Sequence, residues 1–314
     1  MVSRHSLILI LLLVLIGCRP ATPPPTVTSV GQTQPLPDST NGSASVPQTQ
    51  TSVPDQVEEI RNSEYQLGAS EGIKIVHLTN GTFEQGAPGA DDFMSISITD
   101  FVALGDLDAD GTEEAAALIS ENYGGTGEFV FLAVYSNTKG TWTFQTSSMV
   151  DDRPQLRELS IGDQEIFLEA IIHQTDDPMC CPTLRTMRHY RLVDNQLDMI
   201  DYTTFTPDGQ PRTITLESPA DGSEVFTSVP IKGKVAIAPF ENNLVYRIFD
   251  VSGIELSAGA VTVTAPDLGA PGTFESLISL GGVLSGSIIR LEVRDESAED
   301  GSLLAMDSVE LVVK

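Results

Sequence analysis

Hydrophobic and polar positions change their pattern three times along this 314-residue chain, and each change predicts a different kind of structure. Residues 7–16 are an unbroken apolar run. Residues 19–54 show no apolar repeat at helix or strand spacing; eight of these 36 residues are Pro, and only Arg19 and Asp38 are charged. Such a segment buries too little surface to offset its ordering entropy, so a disordered tether is expected. From residue 55 the chain becomes periodic. Asp55-Gln56-Val57-Glu58 has capping-box spacing, with Val57 and Ile60 three apart, which predicts a short helix. Period-two alternation follows at Ile73–His77 and Met94–Ile98, the latter running on through Leu104. Residues Glu114–Ile119 fit a strand or a helical turn, because their Ala content favours neither. Phe129–Tyr135 and Thr141–Phe144, joined by Ser136–Gly140, predict a hairpin. Further strands are expected at Leu156–Ile161, Glu165–Ile172, Thr186–Val193 and Leu197–Tyr202.

Residues 205–211 are polar, turn-rich and aperiodic, which places a boundary there with a linker over 206–211. After it, seven strands are predicted, at Thr213–Glu217, Ile231–Ile237, Leu244–Asp250, Ala260–Thr264, Phe274–Leu280, Ile288–Arg294 and Asp307–Val313. The expected fold is therefore mainly β. An antiparallel sheet domain with one or two short helices occupies 55–205, and the strand count and spacing over 212–314 suit an immunoglobulin-like β-sandwich.

The apolar run follows Arg4 and His5 and closes on Leu15-Ile16-Gly17-Cys18. The eleven residues from Leu7 to Gly17 are too few to cross a bilayer, which takes about 20, but suit a secretory signal. The closing tetrad resembles the lipobox of bacterial lipoproteins. That resemblance implies a signal peptide over 1–17, a covalent diacylglycerol on Cys18, and a tether over 18–54. It implies an extracytoplasmic protein anchored to a membrane of the cell envelope.

The C-terminal third has a second likeness. Ser218-Pro219-Ala220-Asp221-Gly222-Ser223, Pro230-Ile231-Lys232-Gly233, Phe240-Glu241-Asn242-Asn243, Asp250-Val251-Ser252-Gly253, Gly272-Thr273-Phe274 and Asp295-Glu296-Ser297 resemble the spore-germination-associated immunoglobulin-like domain of bacteria. The resemblance covers 212–314 and implies a sandwich linked to spore or wall assembly, without an assigned chemistry. From Asp100 to Pro182 the chain is also similar to an uncharacterised lipoprotein domain, for which no activity is implied.

Charge narrows the partners. With 17 basic and 44 acidic residues the net charge is −27, a surface that repels nucleic acid and anionic headgroups and favours cations. Gly105-Asp106-Leu107-Asp108-Ala109-Asp110-Gly111-Thr112-Glu113-Glu114 concentrates that charge. Alternating Asp side chains converge on a hard cation, and the Thr112 carbonyl can add a ligand. A full EF-hand loop would end on Glu at its twelfth position, which is Ala117. The spacing instead resembles the calcium loops of FG-GAP repeats, implying Asp106, Asp108, Asp110, Thr112 and Glu114 as calcium ligands; a plain acidic turn is the alternative.

Cys180 and Cys181 are adjacent, flanked by Met179 and Pro182, and exported chains retain disulfides. The pair leaves three readings open: a vicinal disulfide, two free thiols, or a redox or soft-metal site with His173, Met179 and His189. Enzyme signatures are thin. Gly68-Ala69-Ser70-Glu71-Gly72 has the letters of a nucleophile elbow without its strand-to-helix context, and Gly124-Gly125-Thr126-Gly127 lacks the Lys and helix of a phosphate loop. His77, His189 and Trp142 fall in strand-like runs and read as packing or surface groups. The expectation is a binding or scaffolding protein and not an enzyme, with an envelope protein or wall polymer as partner. A redox or metal protein using Cys180-Cys181 and an accessory solute-binding lipoprotein of a transporter are the alternatives.

Overall fold

A computed structural model of the chain describes residues 53–69 and 72–314; the expected signal peptide, Cys18 and nearly all of the tether lie outside the described residues. The periodic region opens with α1 (Val53–Ile60), in which Pro54 occupies the first turn, where its missing N–H is no loss. Then come β1 (Glu64–Gln66), β2 (Ile75–His77), β3 (Thr82–Gln85), β4 (Met94–Gly105), β5 (Glu114–Asn122), β6 (Phe129–Thr138) and β7 (Thr141–Asp152). The next four are β8 (Gln155–Gly162), β9 (Glu165–Ile172), β10 (Leu184–Val193) and β11 (Gln196–Phe205). The last nine are β12 (Pro211–Arg212), β13 (Ile214–Ser218), β14 (Ser223–Val225), β15 (Ser228–Val235), β16 (Asn243–Asp250), β17 (Glu255–Thr264), β18 (Gly272–Ser279), β19 (Ile288–Glu296) and β20 (Leu303–Val313). The protein is mainly β and mostly antiparallel, with an immunoglobulin-like C-terminal part.

In the first half β3-β4-β5-β6-β7 form an antiparallel meander covered on both faces. One face packs against α1 and the β1–β2 hairpin through Ile60, Tyr65, Val76, Ile96, Ala117 and Ile119. The other packs against β8–β11 through Leu118, Leu132, Val134, Ile166 and Leu168. This explains why Glu114–Ile119 carries no alternation in sequence. Residues Ala115 to Ile119 are all fully buried, odd positions serving one core and even positions the other, and a strand covered on both sides reads as a continuous apolar run. The Ala side chains let the layers approach. So does Gly105, where a Cβ would lie 2.4 Å from Cγ2 of Ile161 on β8.

The second half is a sandwich. β13-β15-β18 form one layer and β17-β16-β19-β20 the other, joined at one edge where Val263 and Thr264 of β17 pair with Phe274 and Thr273 of β18, and Ile231, Leu244, Ile248, Val261, Ile289 and Leu311 are fully buried between them. β15 shows how local pattern sets the faces: Val229, Ile231 and Val235 point inward while Lys232 and Lys234 face solvent.

The halves meet through β11 and β20. Asp201, Tyr202 and Thr203 pair antiparallel with Asp307, Met306 and Ala305, so one ladder runs from β8 to the sandwich. Thr204 Oγ1 donates to the Leu304 carbonyl at 2.6 Å and Ser308 Oγ to that of Ile200 at 2.8 Å. Residues 206–211, expected as a linker, form a turn. Gly209 N–H donates to the Thr206 carbonyl at 2.8 Å, and Pro211 and Arg212 fold back as β12 onto Phe205 and Thr204. Thr206 and Asp208 supply the turn hydrogen bonds that an aperiodic polar stretch can make locally.

Candidate functional site

The acidic loop joins β4 to β5, and the pairing of Gly105 with Glu114 closes it. Leu107 turns inward as an apolar plug, 3% exposed, while Asp108, Ala109 and Asp110 stay outside. Positive φ at Ala109 (62°) and Gly111 (85°) makes the turn tight; Ala109 is the strained one, because an L side chain disfavours that region. The loop's amides are met by its own carboxylates. Gly111 N–H donates to Asp106 Oδ2 at 3.0 Å, Asp110 N–H to Asp108 Oδ1 at 3.1 Å, Thr112 N–H to Asp110 Oδ1 at 2.6 Å, and Leu107 N–H to Glu114 Oε2 at 2.8 Å.

Of the five residues predicted as ligands, the fold brings three side chains together: carboxylate oxygens of Asp106, Asp108 and Glu114 lie within 4.8 Å of one another. Asp110 stands outside that group of carboxylates, turned to cap the Thr112 amide. The Asp106 Oδ1 atom is buried and has no hydrogen-bond donor. Burial raises the Glu114 carboxyl above its usual range; the Leu107 amide opposes this, and the charges of Asp108, Asp110 and Asp106 add to it. Carboxylate oxygens are the ligand type that hard divalent cations take, and three of the roughly six to eight that calcium ordinarily uses converge in this loop.

In the loop between β9 and β10, Asp177 accepts from the amides of Gln174 at 2.9 Å and Thr183 at 2.8 Å, which holds its carboxyl below the ordinary range. The sulfurs of Cys180 and Cys181 are bonded to each other on the exposed side of this loop. Both histidines of the soft-metal set are paired with carboxylates. His173 Nδ1 is 2.9 Å from Asp151, whose carboxylate raises its pKa, and His189 Nδ1 is 3.1 Å from Glu165. Among the described residues, only the acidic loop gathers three His, Cys, Asp or Glu donors.

Three features escaped the sequence. Glu121, fully buried on β5, accepts from Tyr65 OH (2.6 Å), Tyr123 OH (2.7 Å) and the amides of Gly68 (2.7 Å) and Ala69 (3.1 Å). Asp201 and Asp307 face each other across the β11–β20 ladder, and with Glu165, His189 and Arg191 they line a cavity of about 450 Å³. A cleft beside β7 holds Trp142. None has a local motif; a lone acidic residue inside an apolar strand is the signal that marks Glu121. The glycine-rich segment forms the β5–β6 hairpin turn stapled by Asn122, whose side chain bonds the carbonyls of Gly125 and Gly127 and the amide of Gly124.

Residues 213–302 match the family described as the immunoglobulin-like domain of bacterial spore germination. A comparison with curated proteins found no match. The matched domain is consistent with a binding or scaffolding role.

Proposed function

We propose that the chain is a lipid-anchored, extracytoplasmic binding or scaffolding protein of the bacterial cell envelope, with wall or spore-related assembly as its setting, and that calcium at the Asp106–Glu114 loop stabilises its first half. The similarity of residues 213–302 to an immunoglobulin-like spore-germination domain carries the binding reading. The anchor rests on the Leu15–Cys18 tetrad. Acyl chains contribute about 0.8 kcal/mol per buried CH₂, so two or more hold firmly. Replacing Cys18 with Ser is expected to release the protein from membranes or leave its precursor uncleaved; normal processing with full membrane retention would remove the anchor from this reading.

The calcium reading rests on the convergence of Asp106, Asp108 and Glu114. Mutual repulsion of these carboxylates becomes attraction around a divalent ion, and loops in extracellular modules bind calcium with Kd of about 10⁻⁴–10⁻³ M. At about ten times Kd, mass action gives roughly 1.4 kcal/mol, a melting shift of a few degrees. Calcium is expected to raise Tm and magnesium to raise it less, since magnesium demands tighter octahedral geometry. Asp108→Ala is expected to abolish the difference. Identical melting of chelated and calcium-saturated protein would leave the loop as an acidic turn.

A further inference from the structure

The β1–β2 hairpin lies against β7, and the two enclose a cleft of about 520 Å³. That volume is within the roughly 300–1,000 Å³ of small-molecule sites. Its construction follows from alternation. Glu64 faces His77 and Gln66 faces Ile75 across the hairpin, and all four line the cleft, while Tyr65 and Val76 point the other way into the core. From β7 the lining is continuous, Thr141 to Gln145, with Trp142 and Phe144 as its aromatic members.

Trp142 is 6% exposed and its buried Nε1–H has no acceptor among the described residues. Around it stand groups that are also uncommitted: Glu64, Gln66 and His77 form no side-chain hydrogen bond among the described residues, whereas the Asn62 amide is held by Glu58. No Lys or Arg lines the cleft and Glu64 is a carboxylate, so an anion is disfavoured. Amide, imidazole and hydroxyl groups both donate and accept, as sugar hydroxyls do, and Ile75 (56% exposed) and Phe144 supply apolar surface for C–H faces.

We propose that this cleft binds a neutral saccharide, with Glu64, Gln66 and His77 bonding its hydroxyls and the largely buried Trp142 indole forming part of the cleft wall. The site is separate from the anchor and from the acidic loop, so its success or failure is read independently of them. Trp142 is the chain's single tryptophan, which makes intrinsic fluorescence a direct report on the site. Full-length exported protein is titrated with N,N′-diacetylchitobiose, cellobiose and maltotriose, and separately with glucose 6-phosphate and an unstructured peptide. A saturable change in tryptophan emission with at least one neutral sugar is expected, with no change from the phosphate ester. Gln66→Ala and His77→Ala, at half-buried and exposed strand positions, are expected to keep the circular dichroism spectrum and weaken binding about tenfold, the loss of one hydrogen bond. Asp108→Ala is expected to leave the response intact. No saturable change with any of the three sugars, a sugar response that survives both cleft substitutions, or a response to the peptide alone would overturn the proposal.

Discussion

Replacing Glu121 with leucine is expected to destabilise the protein by about 3–5 kcal/mol, a drop of roughly 10 °C in melting temperature. The carboxylate is fully buried and has no ion pair among the described residues; four donors hold it, two phenols and two main-chain amides. Leucine has a suitable volume, so the packing term is small, but it would leave the Tyr65 and Tyr123 hydroxyls and the Gly68 and Ala69 amides short of their acceptor. An unmet buried donor costs about 1–3 kcal/mol; Tyr65 is buried and Tyr123 half-buried, whereas Gly68 and Ala69 are exposed and water can replace their acceptor, which sets the range. Burial, reinforced by the Glu121 charge, pushes the Tyr65 phenol far above its usual range, so it remains a donor at every accessible pH. Glutamine retains one acceptor oxygen and is expected to cost about half as much. Thermal melts of the two variants beside the parent test this; a Leu variant melting within 2 °C or so of the parent would show that these donors find other partners.

Acidification from pH 8 to pH 5 is expected to strengthen the joint between the halves. Asp201 and Asp307 are direct cross-strand neighbours, an arrangement in which like charges destabilise a ladder. Burial, then the Asp307 charge, then that of Glu165 push the Asp201 carboxyl up to about 7. Burial also raises Asp307, opposed by the Leu216 and Ser308 amides that donate to it at 2.7 and 2.8 Å. The folded state therefore holds a proton at Asp201 that the unfolded chain releases near pH 4. Stability from this group is full below that pH and falls as pH rises through about 7, where the folded form must also ionise. Allowing for solvent relaxation around a partly exposed pair, the change between pH 5 and pH 8 is about 1–2 kcal/mol. Asp201→Asn is expected to raise Tm at pH 8 and to flatten the pH dependence, while Glu165 keeps its partners Arg191 and His189. A parent protein whose melting is flat from pH 5 to 8, or an Asn variant with an unchanged slope, would contradict it.

Much of the architecture is legible residue by residue. The alternation of β15, the β6–β7 hairpin around Lys139-Gly140 and the β16–β19–β20 ladder follow from period-two patterns and turn residues that act over a few positions. The acidic loop was likewise visible as a unit, because its ligand candidates lie within nine consecutive residues. Sequence did not show which of them converge. Asp110 has the same spacing as its neighbours, yet its carboxylate is taken by the Thr112 amide, a choice made by the loop's backbone.

What the sequence by itself determined is whatever depends on neighbours in the chain: strand faces, turns, the acidic loop, the Pro-rich stretch and the Leu15–Cys18 tetrad. Tertiary structure decided what depends on partners distant in the chain. Glu114–Ile119 became a strand because two separate layers cover its faces, and Glu121 became a structural acceptor because Tyr65 and the Gly68 loop arrive from more than 50 residues away. Asp201 meets Asp307 only because β11 pairs with β20, about a hundred residues further along the chain. The division has one physical cause. Periodicity records which side of an element is apolar, whereas desolvation, hydrogen-bond satisfaction and charge repulsion depend on what the fold places opposite it.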